Sequence, residues 1–556
     1  MVNIMNKLEV LRLMEIKFFG AAKMVTGSNY LLTTDKYNIL IDCGMFQGND
    51  EIEKLNYEDF PYDPKEIDFL FLTHAHIDHS GRIPKLVKEG FRGRIITTNP
   101  TYDLCRIMLL DSAKIQEADV EWENRKRQRA GKEPIEPIYT IEDAEYCLKY
   151  FEPYFYDQRI KINDDIQVRF RDAGHMLGSS ILELWIKENS EEIKIVFSGD
   201  LGMPKRSIIK DPEYIDEADY LIIESTYGDT VHESFEESAE KLIEIINKTA
   251  LRGGTVIIPS FAVGRTQEII YELNKYYEYD PRIEEYMKIP IYVDSPMAVE
   301  ATEAFKKNSS SFDDEAKELI LRGDNPFEFE NLRYVKTQEE SMALNKYKFP
   351  KVIISSSGMA TAGRIRHHLK HNLWDEKNSL VFVGYQAEGT LGRILLDGKK
   401  RVKILGEEIN VKAEIYNLRG FSGHADQPML LHWIGRFRKK PKKIFIVHGE
   451  EEPATILSKE INKLFGIETI IPNLGDSYNI EKSEVELTST VDILPSMLKE
   501  DIEKELKAAY SQFEALIDKS SDLLDEKLLT KKYDEIKNQL IDLQHILMDL
   551  NISIGK

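Results

Sequence analysis

The chain is 556 residues long, carries a formal net charge of −22, and is 42% hydrophobic and 31% charged. That length exceeds what one hydrophobic core serves, and the composition is that of a globular protein of about two or three domains, with no apolar run long enough to cross a membrane. The acidic balance argues against indiscriminate attraction to nucleic acid, so a polyanionic substrate needs local positive charge or bound metal to draw it in.

Residues 1–14 lack the apolar centre of a signal peptide. The pattern then predicts an opening β-meander over 14–19, 30–33 and 38–42, with Asp42 closing the third strand. A further strand over 67–72 runs directly into Thr73-His74-Ala75-His76-Ile77-Asp78-His79. Three imidazoles and a carboxylate at this density suit divalent transition metals of the zinc class, which take His nitrogen and Asp oxygen. In extended backbone His74 and His76 point to one side, whereas Asp78 and His79 lie further round a turn, which suits two neighbouring metals. Only 12 histidines occur in the whole chain, so the clustering is informative. Residues 117–137 are charged, include Arg125-Lys126-Arg127-Gln128-Arg129, and read as a solvated helix. Strands over 166–170 and 193–197 lead to Gly174-His175 and Ser198-Gly199-Asp200. A lone acid or histidine at a strand end is usually a turn residue; several such ends suggest one shared site along a sheet edge. Cys43, Cys105 and Cys147 are far apart with no Cys-x-x-Cys, which predicts reduced thiols in a cytoplasmic protein.

From about residue 211 the texture changes. Short apolar strands over 220–224, 255–259, 290–294, 351–355 and 379–384 alternate with helical patterns such as 234–249 and 266–276, which argues for a parallel α/β sheet. Metal-type motifs return in Gly423-His424-Ala425-Asp426 and Val447-His448-Gly449-Glu450, so a second domain is inserted within the first. The expected divisions are 1–209 and 409–480 for the two parts of the outer domain, 210–408 for the insert, and 481–556 for a tail. The tail carries apolar stripes at helical spacing (Leu498, Ile502, Leu506, Tyr510, Phe513; Tyr533, Ile536, Leu540, Leu543, Leu547, Leu550) and predicts a helical hairpin. Such stripes suit packing onto the body and assisting a homodimer equally.

In chain order, Asp42, His74/His76/Asp78/His79, His175 and Asp200 resemble the metal motifs of the metallo-β-lactamase superfamily. Glu224 in Ile222-Ile223-Glu224-Ser225-Thr226-Tyr227-Gly228, with Gly423-His424 and Val447-His448-Gly449, resembles the three extra motifs of its β-CASP branch, nucleases with a domain inserted into the metallo-β-lactamase core. The resemblance spans about 14–480. It implies an α/β fold, an αββα sandwich interrupted by a parallel-sheet domain. Histidine at the last motif, His448, is the form found in RNA-acting members. The texture is similar to the endonuclease of pre-mRNA cleavage and polyadenylation and its prokaryotic relatives, with 5′-exoribonucleases of the RNase J type next.

The resemblance also assigns roles. One Zn2+ would be held by His74, His76 and His175, a second by Asp78, His79 and His448, and Asp200 would bridge them. Two such cations clamp phosphate oxygens and bring an attacking water near neutral pKa. Asp78 and Asp200 would orient that water, and Asp42 would fix ligand orientation by hydrogen bonds. His424 would be the general acid for the leaving oxygen, kept protonated by Glu224. Two small-residue loops before helix-like segments, around Ser260 and Arg265 and around Ser357 and Arg364, would contact phosphates of single-stranded RNA. The expected activity is zinc-dependent, endonucleolytic hydrolysis of RNA. A 5′-exonuclease is the alternative, and a thioesterase-like small-molecule hydrolase is a more distant one.

Overall fold

The structure, a computed structural model, describes residues 14–188, 191–279, 288–387 and 389–480. The tail over 481–556, and the homodimer it would assist, lie outside the described residues.

Among the described residues, two seven-stranded sheets and one six-stranded sheet organise the chain. In the first, Glu15–Phe18, Tyr30–Thr33 and Asn38–Ile41 form the antiparallel meander expected from the sequence. Phe69–Phe71, Arg94–Thr98 and Phe151–Tyr154 continue it in parallel, and Ser477–Asn479 closes the other edge against Glu15–Phe18. The second sheet starts antiparallel through Ile160–Lys161, Ile166–Asp172, Ser180–Glu188 and Glu191–Phe197. It ends in parallel through Tyr220–Glu224, Lys443–Val447 and Glu468–Ile470.

Strict alternation makes the sandwich. Ile166, Val168, Phe170 and Asp172 are buried while Gln167, Arg169 and Arg171 are partly exposed, because successive side chains on a strand face opposite ways. The buried rows meet Ile16, Phe18, Leu32, Ile39 and Ile41 of the first sheet in one apolar layer. Helices cover both outer faces. Gln427–Gly435 and Glu451–Phe465 pack Leu430, Trp433, Leu457 and Ile461 onto the second sheet, and the 31-residue helix Asn99–Arg129 packs Leu104 and Met108 over the first. The expected αββα arrangement is therefore present, and the charged stretch after residue 117 is the outer half of that long helix.

The inserted sheet is parallel throughout, in the order Leu332–Tyr334, Ile291–Val293, Lys351–Ser355, Thr255–Pro259, Ser379–Phe382, Glu414–Asn417. Its central strands Thr255–Pro259 and Lys351–Ser355 are buried at every residue, as strands covered on both faces must be. Two boundaries differ from expectation. Tyr220–Glu224 pairs with Glu191–Phe197 and with Lys443–Val447, so it is a sandwich strand and not the first strand of the insert. Glu414–Asn417 pairs with Ser379–Phe382, which carries the insert past residue 408. Tyr220–Glu224 is buried throughout and reads as a bare apolar run in any sheet, whereas Glu414–Asn417 (Glu-Ile-Tyr-Asn) is a partly exposed edge strand with no apolar run to mark it; in both, tertiary pairing sets the partner.

Candidate metal centre and catalytic cleft

The strand Phe69–Phe71 delivers His74 and His76 into the edge of the sandwich, and His76 then begins the one-turn helix Ile77–Ser80 that presents Asp78 and His79. Close backbone packing holds this turn. A Cβ at Gly44 would stand 1.7 Å from the Asp78 carbonyl oxygen, so only glycine lets the two segments approach. His175 follows Ile166–Asp172, Asp200 follows Glu191–Phe197, and His448 follows Lys443–Val447. Asp42 and His448 both sit at positive φ, +56° and +49°, a conformation that costs energy for side chains other than glycine and accumulates at functional sites.

These ends converge. His74, His76, His175 and Asp200 form one cluster of potential ligands, Asp78, His79 and His448 a second, and Asp200, His424 and His448 a third, each within 4.8 Å. Asp200 joins the groups: Oδ2 lies 3.3 Å from His74 Nε2 and 3.6 Å from His175 Nε2, while Oδ1 lies 3.3 Å from His79 Nε2 and 3.5 Å from His448 Nδ1. His76 Nδ1 is 3.2 Å from His74 Nε2 and 3.1 Å from His175 Nε2, and His79 Nε2 is 3.2 Å from His448 Nε2.

The donor set fits metal. Nitrogens at about 2.05 Å around a tetrahedral cation stand about 3.3 Å apart, close to the spacings observed. Three mutually facing imidazoles cannot all satisfy one another by hydrogen bonds, and Asp200 Oδ1 is buried with no hydrogen-bond partner. Burial, with help from His74, lowers the His76 pKa to about 3, and burial holds His74 and His175 below their ordinary value too. Neutral imidazole is the form that binds a cation. His79 departs from this pattern: burial opposes its charge, but Asp200 and Asp42 outweigh it and raise its pKa.

The ring nitrogens turned away from the centre are also tied. Asp42 Oδ2 is 2.7 Å from His79 Nδ1, and its two oxygens accept from Thr73 N (2.8 Å) and Thr73 Oγ1 (2.9 Å). Thr73 Oγ1 is 3.1 Å from His74 Nδ1 and the Gly423 carbonyl is 3.1 Å from His175 Nδ1, while Thr226 Oγ1 is 3.1 Å from His448 Nδ1, the nitrogen that also faces Asp200. Such partners fix tautomer and ring orientation. Thr73 and Thr226 were not singled out from the sequence; the signal was that each adjoins a motif that was.

Beside this centre, His424 Nδ1 lies 3.2 Å from both oxygens of Glu224, which is itself buried and accepts from Leu201 N at 2.6 Å. Burial disfavours the imidazolium, but Glu224 and then Asp200 outweigh it and raise the His424 pKa to about 9.

The four residues expected to touch substrate are placed differently. Ser260 is buried, its hydroxyl taken up by Phe261 O and Thr266 Oγ1. Arg265 is buried in an ion pair with Glu268, and its guanidinium packs against Gly423, next to His175. Arg364 binds the buried Asp294 at 2.6 Å, and Ser357 Oγ accepts from the N–H groups of Thr361 and Ala362. Closer to the centre stands Phe261, whose ring is 6.2 Å from that of His76. A cleft of about 900 Å³ runs from Thr226, Tyr227 and Ser422 past Tyr385 to Lys400 and Arg419.

Residues 24–101 match a model of the metallo-beta-lactamase superfamily, 266–395 a Beta-Casp domain, and 408–472 a Zn-dependent metallo-hydrolase RNA specificity domain. The chain is similar to ribonuclease TTHA0252 of Thermus thermophilus, 39% identical over 463 residues that cover 83% of this chain and 99% of that protein. This chain belongs to the β-CASP family of the metallo-β-lactamase superfamily. Other β-CASP relatives are the transcription termination factor FttA of Methanocaldococcus jannaschii, 33% identical across 84% of this chain and 72% of that protein, and an RNase J-like protein of the same organism, 32% identical across 83% and 98%. In this β-CASP chain Asp42, His74, His76, Asp78 and His79 lie within the first matched range and His424 and His448 within the last, whereas His175, Asp200 and Glu224 fall between the matched ranges and join them at the sandwich edge.

Proposed function

We propose that the protein is a metal-dependent ribonuclease that hydrolyses internal phosphodiester bonds of single-stranded RNA, with two Zn2+ per chain. The observation that carries this reading is Asp200, which turns one oxygen to each of two ligand groups directly beside the His424–Glu224 pair. His74, His76 and His175 would hold one cation and Asp78, His79 and His448 the other, with Asp200 between them. When bound, such a pair of cations offsets charge on the phosphoryl oxygens and makes water acidic enough to attack at neutral pH. Asp78 and Asp200 accept hydrogen bonds from the attacking water and aim it. Glu224 holds His424 by Nδ1 and keeps the ring protonated, which leaves Nε2 to give its proton to the leaving RNA oxygen.

RNA as substrate is supported by relatives named as ribonucleases and by the match to a domain described by RNA specificity. The cleft supports internal cutting, since it offers space for a strand continuing beyond His424 and cations to meet it: Lys399, Lys400, Lys412 and Arg419 line it, exposed and without carboxylate partners among the described residues, alongside Asp229, Asp397, Glu414 and Glu450. Ser357 and the part-exposed Arg364 are retained as RNA contacts, whereas Ser260 and Arg265 would act by shaping the wall. A cytoplasmic location belongs to the same proposal and is supported by three buried, unpaired cysteines; among the described residues no helix is long and apolar enough to cross a membrane.

The test is a 5′-labelled single-stranded RNA incubated with zinc-loaded protein and resolved on a sequencing gel. A ladder of internal cuts, absent from Asp78→Ala, is the expected result. Mononucleotides alone would make it a 5′-exonuclease of the RNase J type, and no cleavage by the metal-replete protein would overturn the proposal.

A further inference from the structure

On the inserted domain, away from the cleft, residues 345–351 read Asn-Lys-Tyr-Lys-Phe-Pro-Lys, alternating cations and aromatics with no acid among them. Tyr347 and Phe349 are 45% and 43% exposed, and their rings stack at 5.2 Å with an interplanar angle of 22°. Two large exposed rings held parallel are not what an idle surface loop presents. The arrangement is built: Lys351, itself 2% exposed, donates from Nζ to the carbonyl oxygens of Tyr347 (2.9 Å) and Phe349 (3.4 Å) and to Thr255 Oγ1 (3.2 Å), and its ammonium stands 5.5 Å from the Phe349 ring centroid. The backbone beneath the rings is thereby pinned to the sheet.

Charge is placed around the rings. Lys346 and Lys348 are exposed and have no carboxylate partner among the described residues. Arg333 is exposed on Leu332–Tyr334, directly across from Tyr292 of the neighbouring strand, and among the described residues its guanidinium donates only to the backbone carbonyls of Glu330 and Leu332. In a chain of net charge −22 an island of uncompensated cations is a local exception that something anionic would recognise. Aromatic faces flanked by lysine and arginine are the general solution for single-stranded nucleic acid, since every base has a face to stack and every nucleotide a phosphate to neutralise.

We infer that Tyr347 and Phe349, rimmed by Lys346, Lys348 and Arg333, form a second binding site for single-stranded RNA outside the catalytic cleft. It begins at the N-terminal end of the five-residue strand Lys351–Ser355, whereas the loop carrying Ser357 leaves the C-terminal end. The length of that strand, about 15 Å, separates the two, so only an RNA of more than a few nucleotides can occupy both at once. The site would hold long RNA near the enzyme and would not alter the chemical step. This inference rests on the proposed action on RNA, and its test separates the two.

The experiment compares the full-length protein with Tyr347→Ala/Phe349→Ala on RNAs of about 4 and about 30 nucleotides, the shorter at the lower limit of one binding groove. Removing two stacking faces should raise KM for the long RNA by about tenfold or more, with kcat unchanged and cleavage of the short RNA unaffected. A second variant, Lys346→Glu/Lys348→Glu, touches no packing and should give the same selective loss, steeper at low salt. Photocrosslinking of long RNA to wild type should map to Tyr347 or Phe349. If both variants cut long and short RNA like wild type and no crosslink falls on the segment, the second site is overturned while the ribonuclease stands. Wild type that cuts neither RNA overturns both.

Discussion

Asp42→Asn isolates what one buried carboxylate does for the metal centre. Asp42 is 1% exposed and offers two oxygens to three donors: Thr73 N at 2.8 Å, Thr73 Oγ1 at 2.9 Å and His79 Nδ1 at 2.7 Å. An amide has one oxygen, so at least one donor is left facing an N–H group in a site that water cannot relieve. An unsatisfied buried donor costs about 1–3 kcal/mol, equivalent to about 5- to 150-fold in an equilibrium constant. Loss of the partner behind a metal-ligating histidine costs a similar about 10- to 100-fold. A cation at the proposed group of Asp78, His79 and His448 should therefore bind about 10- to 100-fold more weakly. A cation at the proposed group of His74, His76 and His175, which Asp42 reaches by its charge and by hydrogen bonds through Thr73 rather than through a ligand it holds directly, should weaken less. Competition against chelators of graded strength, with retained metal counted by atomic emission, resolves the two. Wild-type retention of both ions by the amide variant would refute the reasoning, because it would mean that His79 needs no carboxylate to be a ligand.

His424→Ala should keep its metal and RNA binding while cleavage falls by about 10²- to 10⁴-fold; loss of metal would instead make His424 a ligand alongside Asp200 and His448. Gly44→Ala drives a methyl group to within 1.7 Å of the Asp78 carbonyl and should cost about 3 kcal/mol or more in a urea titration, with metal content falling in parallel. Glu268 neutralises two buried guanidinium groups, Arg206 at 2.6 Å and Arg265, so Glu268→Gln should destabilise by about 3–5 kcal/mol, more than Arg206→Ala, which leaves Glu268 still paired. Burial, aided by Lys348, lowers the Lys351 pKa from 10.5 to about 8. The unfolded chain then binds more protons between those two values, so stability should rise with pH across that window relative to Lys351→Met, whose thermal midpoint lacks this increment.

The metal centre was legible because its signals are local. His74, His76, Asp78 and His79 fall within six residues, and His175, Asp200 and His448 each close a short apolar strand, so chemistry and punctuation coincide in the sequence. Asp42 and Glu224 were legible for the same reason. What failed to show was whatever depends on the third dimension. The strand Tyr220–Glu224 reads identically whether it joins the sandwich or the insert, and only its pairing with Lys443–Val447 decides. Arg265 and Ser260 stand in loops that suit phosphate binding by composition, yet Glu268 and Thr266 engage them internally. Thr73 and Thr226 act through single hydroxyls on imidazoles, a role that composition cannot distinguish from that of any other threonine.

The order in which the site is threaded has a consequence for the chain's own synthesis. His79 and His448 approach to 3.2 Å across 369 residues of sequence, and the strand carrying His448 is inserted between Tyr220–Glu224 and Glu468–Ile470. A polypeptide emerging from the ribosome therefore carries His74, His76, Asp78 and His79 long before their counterparts exist. The ribosome and the message being read are both RNA. The proposed site is completed only by one of the last strands among the described residues, so chains stalled ahead of Lys443 should cut no RNA in a ribosome-bound assay.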